Sequence, residues 1–183
     1  MRRRAAWLLL LPLMLGGCGD RSLILTVDVL SFLSPSDVSQ SYSIPGGFAA
    51  DTLEVASESV NLLPGVEDVT EVASATLKIG ASFDNQTGTA SGVLLIYITS
   101  ADSTNAFTTA PIASIPFSLT PGNVTNVSTE VSSDQLAAAM VQESARVGVR
   151  ITFDSTATPP LQFVTGTETI TQLLAVVVTK KKL

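Results

Sequence analysis

Apolar and polar side chains alternate with a period of two through most of the chain, a pattern that predicts strands rather than helices. Between 75 and 84, Ala75, Leu77, Ile79, Ala81 and Phe83 oppose Thr76, Lys78, Gly80, Ser82 and Asp84, as in a strand with one buried and one wet face. Between 146 and 154, Val147, Val149, Ile151 and Phe153 do the same against Arg146, Arg150, Thr152 and Asp154. Leu23, Leu25, Val27 and Val29 open the series on one face. Residues 93–98 are apolar on both faces, which predicts a central strand and places Tyr97 in the core. Ile115, Phe117 and Leu119 alternate with Ser114, Pro116 and Ser118. Proline cannot donate to a ladder, so Pro116 puts that strand at a sheet edge. Further strands are expected at 124–131 and 169–179, with weaker candidates at 41–44 and 52–60.

Turn chemistry falls between these runs: Pro45, Gly46 and Gly47; Pro64 and Gly65; Asp84 through Gly88; Pro121, Gly122 and Asn123; Pro159 and Pro160. One segment departs from the period of two. Over 132–143, Ser132 stands as a helix cap with Gln135 three residues on, and Leu136, Ala139 and Met140 share a helical face, so a short helix is expected to cross between two strands. About seven to nine strands with one helix predict an all-β chain folded as an antiparallel two-layer β-sandwich. The outline resembles an immunoglobulin-like or fibronectin-type sandwich, although the Cys-Trp-Cys framework of true immunoglobulin domains is missing.

Composition agrees. Of 183 residues 45% are hydrophobic and 14% charged, enough apolar surface for a packed core. The net charge of −6 hides an uneven distribution, because Arg2, Arg3, Arg4, Lys180, Lys181 and Lys182 sit near the two ends. Arg21, Lys78, Arg146 and Arg150 remain in the body against sixteen acidic residues, so a phosphate-backbone partner is excluded. Histidine is absent and Cys18 is the sole cysteine, which excludes an intrachain disulfide, a His/Cys metal cluster and Ser-His-Asp chemistry.

The first eighteen residues form a separate unit: a basic start at Arg2, Arg3 and Arg4, an apolar run over 5–15, then Gly16 and Gly17 before Cys18. This is the three-part design of a secretory signal, too short for a mature membrane span. A twin-arginine route is the weaker reading, because Ala5, Ala6 and Trp7 follow the arginines. Leu15, Gly16, Gly17 and Cys18 resemble the lipobox of bacterial lipoproteins. The resemblance implies cleavage before Cys18, a diacylglycerol on its sulfur and acylation of the new amino terminus. It also implies sorting to the outer rather than the inner membrane, since Gly19 follows the cysteine and Asp20 comes one place later. The alternative, a small buried Cys18 inside the domain, conflicts with its place ahead of the first strand. The expected division is therefore signal 1–17, lipidated cysteine and tether 18–22, sandwich 23–179 and basic tail 180–183. Lys180, Lys181 and Lys182 are expected to face the lipid surface if the last strand runs antiparallel to the first. The alternative is a solubilising terminus that guards an apolar strand.

Catalytic candidates are few. A serine–lysine dyad would have to use Lys78, which occupies the polar side of a strand. Glu54, Glu58, Glu67, Asp68 and Glu71 are close enough in sequence for paired-carboxylate hydrolysis, but Glu54 and Glu58 share a strand parity, as on an exposed acidic face. A weak calcium loop is conceivable at Asp84, Asn85, Gln86 and Gly88, with a polar hairpin turn as the simpler reading. The Asn-x-Ser/Thr triplets at Asn85, Asn123 and Asn126 read as chance in a Ser- and Thr-rich chain. Trp7 leaves with the signal and only Tyr42 and Tyr97 remain, so no aromatic sugar platform is expected. The expected function is a lipid-anchored, non-enzymatic structural or protein-interaction module of the cell envelope, with no cofactor. The rival is a carrier of a lipid or small apolar ligand, opening near 45–48 or 100–111.

Overall fold

The computed structural model describes residues 21–61, 71–100, 105–142 and 144–181. Within them the alternating pattern resolves into nine strands: β1 (Arg21–Asp28), β2 (Ser39–Pro45), β3 (Asp51–Ala56), β4 (Glu71–Thr87), β5 (Ala90–Ser100), β6 (Ala113–Leu119), β7 (Asn123–Ser132), β8 (Ala145–Asp154) and β9 (Phe163–Lys181). A 3-10 turn (Val29–Phe32) and a one-turn helix α1 (Pro35–Val38) join β1 to β2, and helix α2 (Asp134–Met140) joins β7 to β8. All pairings between the strands are antiparallel.

One sheet runs β1-β9-β4-β7, with β2 also on β9; the other runs β3-β8-β5-β6. β1 pairs with residues 174–181 of β9 and β2 with residues 163–169, while β4 follows the other edge from Glu71 to Thr87. β9 is thus the spine of the first sheet. Its nineteen residues span about 60 Å at 3.3 Å per residue, setting the long axis of the sandwich.

Phe83 of β4 stacks on Phe117 of β6 with ring centroids 4.2 Å apart, and Phe117 meets Phe153 of β8 edge-on at 5.6 Å. Tyr42 of β2 completes the bridge between the sheets at 5.2 Å from Phe153. The inward rows Ala75 to Phe83 and Val147 to Phe153 are all buried, as their alternation predicts. β6 is an edge strand, so Pro116 costs no ladder bond.

The structure corrects the sequence reading in four places. β9 begins at Phe163, six residues before the expected start. Ser133, not Ser132, caps α2, its Oγ accepting from the Leu136 N–H at 3.0 Å; Gln135 reaches away to donate to the Ala110 carbonyl at 3.2 Å. Residues 84–87 belong to β4, and the turn is made at Gly88, whose φ of +69° suits glycine. Tyr97 is buried, but on the outer surface of its sheet, where Phe107 meets it edge-on at 5.2 Å and the Arg150 guanidinium lies 5.5 Å from its ring.

Phe153→Ala should destabilise the domain by about 3–5 kcal/mol, since its ring touches both sheets. Arg150 is half-buried, bonded to Glu54 at 2.7 Å and stacked on Phe107 at 4.6 Å, so Arg150→Ala should cost only about 1–2 kcal/mol. Urea unfolding of the two variants measures the difference; equal losses would contradict the inward facing of Phe153.

Candidate functional site

β1 and β9 close one end of the sandwich together. Arg21 lies opposite Lys181 and Ser22 opposite Lys180, while Glu71 of β4 faces Lys180 from the other side. Lys180 and Lys181 therefore stand in a paired strand and not in a tail beyond it. Cys18 and Lys182 lie outside the described residues, as do Glu67 and Asp68. In the sequence only Gly19 and Asp20 separate Cys18 from the first residue of β1.

A shallow groove opens at the same end. Val72, Ala73, Ser74 and Ala75 of β4 form one side and Asp134, Ala137, Ala138 and Val141 the other, with Ser132 and Ser133 across its end; it encloses about 550 Å³. The helix that walls it is held from beneath by Leu136, Ala139 and Met140, all buried in the core.

The other candidates are kept apart. Lys78 forms a solvent-facing pair with Glu130 at 3.8 Å, and Glu54 is held by Arg150. Glu58 is exposed beyond the end of β3. At the suggested calcium loop Asp84 and Gln86 are exposed, whereas Asn85 is fully buried, its Oδ1 accepting from the Tyr42 hydroxyl at 3.1 Å and its Nδ2 donating to the Gly88 carbonyl at 2.8 Å. These side chains do not converge, and no group of three or more acidic, His or Cys side chains does so among the described residues. The 45–48 segment is tied down: the buried Ser155 hydroxyl donates to the Pro45 carbonyl at 2.6 Å, and the Gly46 N–H donates to Gln162 at 2.8 Å.

A carboxylate not foreseen from the sequence lies inside the sandwich. Glu168 of β9 is 1% exposed, opposite Gln40 of β2 and Phe83 of β4, and its Oε2 has no hydrogen-bond partner. Burial pushes its pKa from 4.5 up to about 7. The Tyr42 phenol is pushed up to about 12, by burial first and then by the charges of Asp84 and Glu168. A Cβ at Gly166 would collide with the Asp84 carbonyl of β4 and with the hydroxyl end of Tyr42, so only glycine fits two places before the glutamate. The available signal was parity: Glu168 falls in step with Val164 and Ile170, both inward.

No family model matches the chain, and no curated protein matches it. Among solved structures it is similar to a chain of infectious bursal disease virus Gt strain, at 11% identity and a TM-score of 0.47, over 89% of this chain and 38% of that one. It is similar to dimeric latent PorU from Porphyromonas gingivalis at 12% identity and a TM-score of 0.34, over 90% of this chain and 13% of that one. For Eiger TNF from S. frugiperda the values are 9% and 0.35, over 77% of this chain and 92% of that one. The chain spans little more than a third of the virus chain. Scores and identities this low carry no argument about function.

Glu168 makes stability depend on pH. Its folded pKa is raised, so the folded state holds the proton more tightly than the unfolded chain does. The stabilisation is fully present below about pH 4.5 and is lost as pH rises through about 7, a fall of up to about 3 kcal/mol. Glu168→Gln should flatten this slope. Urea midpoints at about pH 5 and pH 8 measure it; a wild type and variant with the same pH dependence would contradict the buried carboxylate.

Proposed function

We propose that the chain is a lipid-anchored, non-enzymatic β-sandwich serving as a structural or protein-interaction module in the cell envelope, on the outer rather than the inner membrane. In architecture we take it as similar to an immunoglobulin-like module, a scaffold whose edges and loops make the contacts. What supports the reading is the meeting of β1 and β9 at one end, where Arg21, the first described residue after Cys18, lies opposite Lys181, and Ser22 opposite Lys180. Acyl chains on Cys18 would provide stable attachment, since two chains together hold where one is marginal. Lys180, Lys181 and Lys182 would add about 1 kcal/mol each near anionic lipid. The acidic body would then extend away from the surface along the axis of β9.

The lipid-carrier reading needs a connected apolar cavity between the sheets. Phe83, Phe117, Phe153 and Tyr42 occupy that space instead. Among the described candidates, Lys78, Glu54 and Asp84 lie apart, each in its own setting.

Cells fed a clickable fatty acid should label the wild-type protein and not Cys18→Ser; equal labelling would end the lipoprotein assignment. In the Cys18→Ser background, replacing Lys180, Lys181 and Lys182 by alanine should weaken binding to anionic vesicles at low salt by about tenfold or more. Unchanged binding would remove the lysines from the membrane-facing role.

A further inference from the structure

β4 is longer than the strand beside it. β9 accompanies β4 from Glu71 onward, but β7 stops at Ser132, opposite Thr76. Among the described residues no strand pairs with 71–75 on the β7 side, so about 16 Å of strand edge at 3.3 Å per residue is left in line with β7. On its paired side β4 is bulged at Ala73, where the register with β9 moves from Val72–Thr179 to Ser74–Val178.

This edge forms one side of the 550 Å³ groove, and the composition of the groove indicates what would fit. Asp134, Ala137 and Ala138 of α2 and its C-cap Val141 recur at three- and four-residue spacing, so they form one stripe, opposite to the buried one. Ala73, Ser74, Ala137 and Ala138 are short enough for a backbone to approach closely. Unpaired main-chain N–H and C=O groups are satisfied best by another main chain, and edge strands take up extended peptides in this way. Serine hydroxyls and the Asp134 carboxylate disfavour an acyl chain as occupant. No basic residue lines the groove and the exposed Asp134 does, which selects against acidic segments.

We propose that this groove is a strand-addition site: an extended segment of a partner protein, bearing small or β-branched side chains and basic residues, pairs with β4 at 71–75 as a continuation of the β7 position. The proposal rests on the protein-interaction reading and gives it a location. The site lies at the Lys180 end, so the partner would be engaged close to the membrane.

The full-length lipoprotein in detergent should bind a fluorescent hexapeptide of alternating lysine and valine saturably, and the matching glutamate–valine peptide at least about tenfold more weakly. N-methylation of alternate amides in the lysine peptide keeps its charge but removes its pairing edge, and should abolish binding. Ala138→Trp, on the exposed stripe of α2, should weaken binding at least about tenfold, while Val124→Trp, exposed at the far end of β7, should leave it unchanged. Absence of saturable binding, equal binding of the N-methylated peptide, or insensitivity to Ala138→Trp overturns the proposal. Dimerisation through this edge that Ala138→Trp abolishes would also overturn it, by identifying a second copy as the occupant. Photo-crosslinkers placed in living cells at Ala138 and at Leu161, a fully exposed residue just ahead of β9, separate the two levels. Crosslinks to a defined partner from position 161 alone remove the groove and leave the interaction reading; none from either removes both.

Discussion

The double-edged pairing of β9 is the constraint from which the rest of the molecule follows. A strand of nineteen residues with partners along both edges has no freedom to slip, because a one-residue shift would exchange every inward side chain for an outward one. β1 and β2 share one edge of it, separated by the 3-10 turn and α1, and β4 occupies the other. The second sheet needs no direct tie to β9. Its Phe117 and Phe153 meet Phe83 and Tyr42, and the sandwich is closed by that aromatic contact.

Against this packing the inward polar groups of the first sheet fall into two classes. Asn85 is satisfied by Tyr42 and Gly88 and fastens β2 to β4 across β9. Glu168 is buried with one oxygen unpartnered, a net cost whenever it is ionised. The first arrangement specifies the register of three strands, whereas the second makes the same region the one most sensitive to its surroundings.

Where one face of a strand is apolar and the other wet, the chain was legible: β4 and β8 appear with the facings that their alternation implies, and Pro116 marks the edge strand β6. Legibility failed where tertiary context overrides side-chain chemistry. The first half of β9 puts Gly166 and Glu168 at inward positions, one making room for Tyr42 and the other lacking a neutralising partner, so the hydrophobic signal is broken there. Tyr97 looks like a core residue but is covered from outside by Phe107, from the segment between β5 and β6, and by Arg150 of the neighbouring β8. The choice between Ser132 and Ser133 as cap depended on where β7 ends. The lysines and Cys18 were visible as motifs; the groove was not, because it exists only where β4 outlasts β7.

The order of the strands along the chain has a consequence for how the protein reaches this state. β9 is the last strand made, yet β1, β2 and β4 all pair with it, at sequence separations of well over a hundred residues for β1 and β2. Closing such long loops delays native pairing. Until β9 is made, β4 can pair with β7 and the second sheet can assemble, but β1 and β2 have no partner strand, so the opening part of the domain waits, unpaired, for the strand that gives the first sheet its spine.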